Sequence, residues 1–137
     1  MPKLASSNPL TEVPAAPPAV ALAHFEALLS LETDCWDVHE GMGTPGSDVV
    51  VLDVRSPDRF AAGHIAGAVN LPHRRITERT LAPYPDETLF VVYCAGPHCN
   101  GADRGAVRLA SLGRPVKKMI GGIEGWKDEG FPLVTGA

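Results

Sequence analysis

Cys94 is the residue of this sequence whose position best suits covalent chemistry. It follows five β-prone residues, Leu89–Tyr93, and precedes a loop rich in glycine, proline and asparagine. Small and apolar residues then recur at helical spacing, at Ala102, Ala106, Leu109, Ala110 and Gly113. Ligands of open α/β sheets bind beyond the carboxyl ends of the strands, where loop amides and a helix N-terminus favour an anion. The sequence therefore predicts that Cys94 is activated as a thiolate nucleophile.

The loop after Cys94 is predicted to hold reacting anions through its backbone amides. Its residues are Ala95, Gly96, Pro97, His98, Cys99, Asn100 and Gly101. His98 is expected either to stabilise an anion or shuttle a proton, or to lie in solvent as a turn residue. Cys99 stands five positions after Cys94. It is either a resolving thiol, which would attack a persulfide or sulfenic acid on Cys94, or a small residue that fills a loop corner.

A second group of polar residues follows another expected strand end. The short run Ala68–Leu71 is stopped by Pro72, and cationic groups follow at His73, Arg74, Arg75 and Arg79. These side chains predict either a solvated basic helix start or the positive rim of an anion site. In the second interpretation, Arg74 and Arg75 bind the substrate.

Composition limits the classes of function. A length of 137 residues suits one domain with a sizeable core, and a net charge of −4 gives no reason to expect a nucleic-acid or anionic-membrane partner. No apolar run approaches the roughly 20 residues of a membrane span, and no signal-peptide core follows Met1. Three cysteines argue against a secreted disulfide framework, and their scatter argues against a structural zinc site. We expect a cytoplasmic protein.

The N-terminal third is predicted to be a tail followed by an added helix. Residues 1–18 contain five prolines among alanine and serine residues, which predicts a flexible tail. Residues 19–137 are predicted to form a single domain that begins with a helix at Ala19–Glu32. A short strand at Thr33–Trp36 is expected next, and then a helix at Val38–Met42 that Asp37 caps.

The rest of the chain alternates expected strands and helices. Val49–Val54 is a continuous apolar run of the kind found in central parallel strands. Ser56 is placed to cap a helix that ends at Ala62. The last strand is expected at Pro115–Ile120, before a short apolar helix. This alternation with short connections predicts an α/β fold with a parallel sheet.

The sequence resembles the rhodanese family in three motifs that occur in the same order. LDVRS at Leu52–Ser56 and FAAGHIAGAVNLP at Phe60–Pro72 resemble its first signature, in which Asp53, Arg55 and His64 match signature positions. GGIEGW at Gly121–Trp126, with the GFP that follows, resembles its C-terminal signature. Cys94 falls at the position of the family's catalytic cysteine.

The resemblance implies a rhodanese-like five-stranded parallel sheet with helices on both faces. It implies a sulfurtransferase in which thiosulfate passes its outer sulfur to Cys94, and cyanide or a thiol then takes it, with no cofactor. Asp53 and Arg55 are expected to fix the strand end, and His64 to make a buried hydrogen bond. Family loops carry about five or six residues between cysteine and helix, so Asn100–Gly101 is expected to lengthen this loop by two. Whether the protein is a homodimer is left open.

Two other functions fit the same fold. Phosphatases and arsenate reductases place an arginine six positions after the cysteine to bind a tetrahedral oxyanion, but that position is Asn100 here, and the nearest downstream arginine is Arg104. The other alternative is a binding or regulatory module without turnover. The presence of Cys94 counts against it.

Overall fold

The fold is built on five parallel strands in the order β1-β5-β4-β2-β3. A computed structural model describes residues 8–137. The strands are β1 Glu32–Thr33, β2 Val49–Asp53, β3 Val69–Asn70, β4 Leu89–Tyr93 and β5 Val116–Met119. The helices are α1 Pro18–Leu31, α2 Cys35–Met42, α3 Pro57–Ala62, α4 Glu78–Leu81, α5 Gly101–Ser111 and α6 Gly122–Asp128, with a 3₁₀ turn at His73–Arg75. The predicted five-stranded parallel sheet is confirmed.

The two central strands supply side chains to a separate core on each face of the sheet. β2 and β4 pair along their full length, from Val49 opposite Leu89 to Asp53 opposite Tyr93. Because successive side chains point to opposite faces, each strand contributes to both cores. One core contains Val51, Val91 and Tyr93 with residues of α2 and α6. The other contains Leu52, Phe90, Val92 and Leu109 of α5. Helices therefore cover both faces, as predicted.

The N-terminal helix lies on the outside of the domain. α1 contacts β1 and β5, yet none of its residues is buried, and Val20, Leu22, Phe25 and Leu29 are exposed. Of the predicted tail at residues 1–18, the first seven residues lie outside the described chain. Residues 8–17 form exposed turns. The predicted flexibility of this segment stays a prediction.

The connection after α1 differs from the sequence prediction. The strand is Glu32–Thr33, and Cys35 already belongs to α2, so the expected strand at Thr33–Trp36 was placed too late. The cap is Asp34, whose side chain accepts a hydrogen bond from the backbone N–H of Asp37 at 2.8 Å. Asp37 therefore lies in the first helical turn, because an aspartate three residues earlier already satisfies its amide.

No helix formed by residues 8–137 is both long enough and apolar enough to span a bilayer.

Candidate active site

Cys94 lies directly after β4, at the carboxyl edge of the sheet, and is 7% exposed. Six residues, Ala95 to Asn100, separate it from the first residue of α5, which is Gly101. The expected two-residue lengthening of the loop is therefore wrong. Gly101 is the first residue of the helix, and Asn100 is its N-cap.

An open cleft of about 800 Å³ lies in front of Cys94. Its walls come from the end of β2, the first turn of α3, the 3₁₀ turn, the loop and the first turn of α5. The lining residues are Val54, Arg55, Ser56, Arg59, His73, Arg74, Cys94, Ala95, His98, Cys99, Asn100, Gly101 and Arg104. Five elements that are distant in sequence thus meet around one thiol.

The cleft is cationic although the chain as a whole is acidic. Arg59, Arg74 and Arg104 line it from three different elements. The pKa of His73 is lowered by burial and by the positive charges of neighbouring arginines, Arg74 and Arg104 among them. A field that disfavours a protonated histidine favours a bound anion.

Not all of the predicted cationic residues reach the cleft. Arg74 lines it, whereas Arg75 is exposed and is not among its lining residues in the described chain. Sequence reasoning missed Arg59 and Arg104. Both lie within the first turn or so of a helix that follows a central strand, and that spacing from the strand end is the signal that would have identified them.

The sulfurs of the two loop cysteines both lie beside Gly101. The backbone N–H of Cys99 donates to the carbonyl of Gly96 at 3.1 Å, a turn that directs the chain back toward Cys94. The N–H of Gly101 lies 3.4 Å from the Cys99 sulfur. A Cβ on Gly101 would lie 2.7 Å from the Cys94 sulfur and 3.5 Å from the Cys99 sulfur. Both sulfurs therefore border the space that a side chain at position 101 would occupy.

The ionisation of Cys94 and the ionisation of Cys99 are linked. Burial raises the pKa of the Cys94 thiol to about 11, and its hydrogen bond to Cys99 adds to the rise, while the amides of Ala95 and Gly101 oppose it. Burial also acts on Cys99, but the hydrogen bond from Cys94 and the same amides outweigh it and lower the Cys99 pKa. The two thiols therefore ionise as a pair in which Cys99 carries the negative charge more readily, and activation of Cys94 as the nucleophile stays a prediction.

Helix α6 holds the start of the loop from behind. The N–H groups of Ile123 and Glu124 donate to the carbonyls of Cys94 at 3.0 Å and Ala95 at 2.9 Å. Gly122 has a φ of +58°, and a Cβ there would lie 2.5 Å from the Cys94 carbonyl oxygen. Only glycine permits this approach. Gly122 belongs to the GGIEGW motif, and the structure gives the physical reason why that position of the motif needs glycine.

The remaining loop residues divide between two surfaces. His98 and Asn100 line the main cleft, and Asn100 accepts a hydrogen bond from Nε of Arg104 at 3.2 Å. Gly96 and Pro97 instead border a smaller pocket of about 160 Å³ on the other side of the loop, which Cys94 and Cys99 also reach.

Asp53 and Arg55 form a buried ion pair at the end of β2. Nη2 of Arg55 lies 2.7 Å from Oδ2 of Asp53 and donates to the Gly63 carbonyl at 2.7 Å. Nδ2 of Asn70 donates to the carbonyls of Asp53 and Arg55. This network joins β2, β3 and the end of α3, and so fixes the wall of the cleft that Arg55 and Arg59 line.

His64 lies away from the cleft. Its Nδ1 donates to the carbonyl of Phe60 at 2.7 Å, and its ring stacks on that of Phe60 with centroids 3.6 Å apart. Its backbone exchanges two hydrogen bonds of 2.9 Å with Val134. These contacts give His64 a structural place between α3 and the C-terminal segment.

Among residues 8–137, no group of three or more side chains is arranged to hold a metal ion.

The family model described as Rhodanese-like domain matches residues 37–129. The chain belongs to the rhodanese-like domain family. The crystal structure of the BH2092 protein from Bacillus halodurans superposes with a TM-score of 0.82 at 35% identity, covering 87% of each chain.

Curated relatives of this rhodanese-like domain include both regulators and enzymes. It is 38% identical over 91 residues to the HTH-type transcriptional regulator Rv0324 of Mycobacterium tuberculosis, covering 66% of this chain and 39% of the regulator. It is 31% identical over 86 residues to the thiosulfate sulfurtransferase PspE of Escherichia coli, covering 62% of this chain and 78% of PspE. The chain spans 39% to 63% of the length of several curated relatives that it matches.

Proposed function

We propose that this protein is a sulfurtransferase that carries sulfane sulfur as a persulfide on Cys94. The observation that supports this most strongly is the placement of Cys94 beside a cleft lined by Arg59, Arg74 and Arg104. A sulfur nucleophile in a cationic cleft suits a small anionic donor that contains sulfur, such as thiosulfate. The thiosulfate sulfurtransferases among the relatives agree with this choice.

The transfer has two steps. The Cys94 thiolate attacks the outer sulfur of thiosulfate, the sulfur–sulfur bond of the donor breaks, and sulfite leaves with the bonding electrons. Cyanide or a thiolate then attacks the outer sulfur of the Cys94 persulfide, and Cys94 leaves as a thiolate. The sulfur is carried on Cys94 itself, so the reaction needs no cofactor.

The cleft residues divide the work between binding and stabilisation. The arginines hold the donor dianion and the departing sulfite through charge-assisted hydrogen bonds. The backbone amides of Ala95 and Gly101, which act to lower the Cys94 pKa, stabilise the anionic forms of thiol and persulfide. His98 borders the same cleft and is available to exchange a proton with the acceptor. A reducing, cytoplasmic setting would keep the three cysteines in the free state that the structure has.

The alternatives are less well supported by the site. A phosphatase or arsenate reductase would need an arginine where Asn100 stands, and Asn100 instead accepts a hydrogen bond from Arg104. A binding module without turnover has a precedent in the regulator that shares the domain. The nucleophile and the cationic cleft both favour catalysis.

The test is the initial rate of thiocyanate formation from thiosulfate and cyanide. Cys94→Ser should fall to the uncatalysed background, because a hydroxyl is a far poorer nucleophile than a thiol near neutral pH. Cys35→Ala is the matched control, since Cys35 is buried against α6 outside the cleft. Circular dichroism checks that both variants fold. A wild-type rate in Cys94→Ser would contradict the role of Cys94, and wild-type protein without turnover would favour a binding module.

A further inference from the structure

We propose that Cys99 is a second reacting thiol, which attacks the Cys94 persulfide, releases hydrosulfide and leaves a Cys94–Cys99 disulfide. The inference rests on the proposed persulfide at Cys94. It adds an activity to the site, because the sulfane sulfur leaves as HS⁻ without any external acceptor.

The loop geometry brings the two sulfurs together. The hydrogen bond from the N–H of Cys99 to the Gly96 carbonyl closes a turn, and Cys94 and Cys99 line the same two pockets beside the end of β4. Both cysteines line the same cleft, and each thiol shifts the pKa of the other, upward at Cys94 and downward at Cys99. Gly101 leaves open the space on which both sulfurs converge, at 2.7 Å and 3.5 Å from the position of its absent Cβ.

The third cysteine has no part in this pair. Cys35 belongs to the core on the opposite face of the sheet from the core that contains Cys94. Its sulfur lies 3.7 Å from the carbonyl oxygen of Ile120 and 3.9 Å from that of Gly122. In the described chain, Cys35 lines neither of the two pockets that Cys94 and Cys99 border, so no cleft gives a donor access to its sulfur.

The protons and electrons balance within the site. When Cys94 attacks the donor, its proton passes to the neighbouring Cys99 in its thiolate form, and sulfite departs with the bonding electrons of the donor S–S bond. The proton then passes to the outer sulfur of the Cys94 persulfide, which regenerates the Cys99 thiolate. That thiolate attacks the Cys94 sulfur, the bond to the outer sulfur breaks, and HS⁻ leaves. The Cys99 sulfur is oxidised to a disulfide and the sulfane sulfur is reduced to sulfide.

Leaving-group chemistry favours attack on the Cys94 sulfur over attack on the outer sulfur. Attack on the outer sulfur would move it to Cys99 and expel the Cys94 thiolate, which leaves less readily than HS⁻ because burial raises the Cys94 pKa. Attack on the Cys94 sulfur expels HS⁻, the conjugate base of a stronger acid, which leaves faster. The site is then reset by an external dithiol, so that the full cycle converts thiosulfate and a dithiol into sulfite, hydrosulfide and a disulfide.

The test is a single turnover of reduced protein with thiosulfate, in the absence of cyanide, thiols and oxygen. Sulfite and sulfide are measured separately, and peptides are mapped by mass spectrometry without reduction. Wild type and the matched control Cys35→Ala should release sulfite and sulfide in equal amounts, each stoichiometric with the chain, and should contain a Cys94–Cys99 disulfide. Cys99→Ser and Cys99→Ala should release sulfite more slowly, since they lack the thiolate that accepts the Cys94 proton, but at completion in the same amount, with no sulfide above background and one added sulfur kept on Cys94.

The outcomes separate the two proposals. Sulfite release from wild type, with the sulfane sulfur retained on Cys94 and Cys99 still a thiol, would overturn the role of Cys99 and leave the proposed function intact. Equal sulfide release from the Cys99 variants would also overturn it. Absence of sulfite release from wild type would overturn both. Because sulfite release requires a folded site, it also shows that a Cys99 variant without sulfide release has not simply unfolded.

Discussion

Substitution of Gly101 by alanine tests whether the sulfurs of Cys94 and Cys99 lie as close to the first residue of α5 as the structure shows. Gly101 is the first residue of α5, with an ordinary helical backbone, so alanine is not strained by its φ. Its Cβ, however, would lie 2.7 Å from the Cys94 sulfur, closer than real Cβ contacts come. The Cys94 side chain or the loop must therefore move.

The size of the effect follows from that distance. Moving the sulfur from 2.7 Å to an ordinary contact beyond 3.4 Å displaces it by a large fraction of an ångström. A misplacement of about 1 Å in a reacting group costs on the order of 10²-fold in rate. Overpacking of this kind also lowers the free energy of unfolding by about 1–3 kcal/mol. We expect kcat/KM for sulfite release to fall roughly 100-fold while the protein stays folded.

The assay compares sulfite release and urea unfolding in Gly101→Ala with Gly41→Ala. Gly41 lies in α2, is exposed, and a Cβ there would meet nothing within 4 Å. The control should therefore keep wild-type kcat/KM and gain up to about 1 kcal/mol in stability. Wild-type kcat/KM in Gly101→Ala would refute the placement of the sulfurs and the inference drawn from it.

Three further predictions concern charge. Arg74→Ala should raise KM for thiosulfate roughly tenfold with little change in kcat, whereas Arg75→Ala, outside the cleft, should leave KM unchanged. Steady-state kinetics measure both constants, and an equal rise of KM in the two variants would contradict the prediction. In wild type, kcat/KM should rise with pH and level off below the ordinary thiol pKa of 9.0, because the pair ionises first at Cys99. Cys99→Ser should move that inflection to higher pH, because burial raises the Cys94 pKa; an unmoved pH profile would count against the pair. Asp53→Ala should lower the free energy of unfolding by about 3–5 kcal/mol, because it leaves the buried guanidinium of Arg55 without its carboxylate partner. Urea titration measures this, and a loss below about 1 kcal/mol would contradict the importance of the ion pair.

The sheet could be predicted from sequence because its strands have a strong local signal. The apolar runs at Val49–Val54 and Leu89–Tyr93 are buried on both faces, so hydrophobicity alone identifies them. The first turn of α3 was also predictable, because serine is strongly preferred at the N-cap and proline at the first helical position, where Ser56 and Pro57 lie. The start of α2 was misplaced because Asp34 and Asp37 are equally suitable caps by residue type.

The chemistry of the site was less predictable because it depends on contacts between distant elements. The position of Cys94 at a strand end was predictable, but its protonation depends on burial beneath the loop and on the Cys99 thiol. Arg59, Arg74 and Arg104 come together only once the sheet has formed. The local sequence pattern therefore predicts the position of Cys94, whereas the residues around it and the pKa of its thiol depend on tertiary packing.

The most direct test of the account is a sulfur balance at Cys94. Wild type, Cys35→Ala, Cys99→Ser and Cys94→Ser are each mixed once with thiosulfate, sulfite is measured, and the fate of the sulfane sulfur is mapped by mass spectrometry. The account predicts sulfite stoichiometric with the chain in all but Cys94→Ser, with the added sulfur of Cys99→Ser on the Cys94 peptide. Sulfite release by Cys94→Ser, or added sulfur on any other peptide, would contradict the claim that Cys94 carries the sulfur.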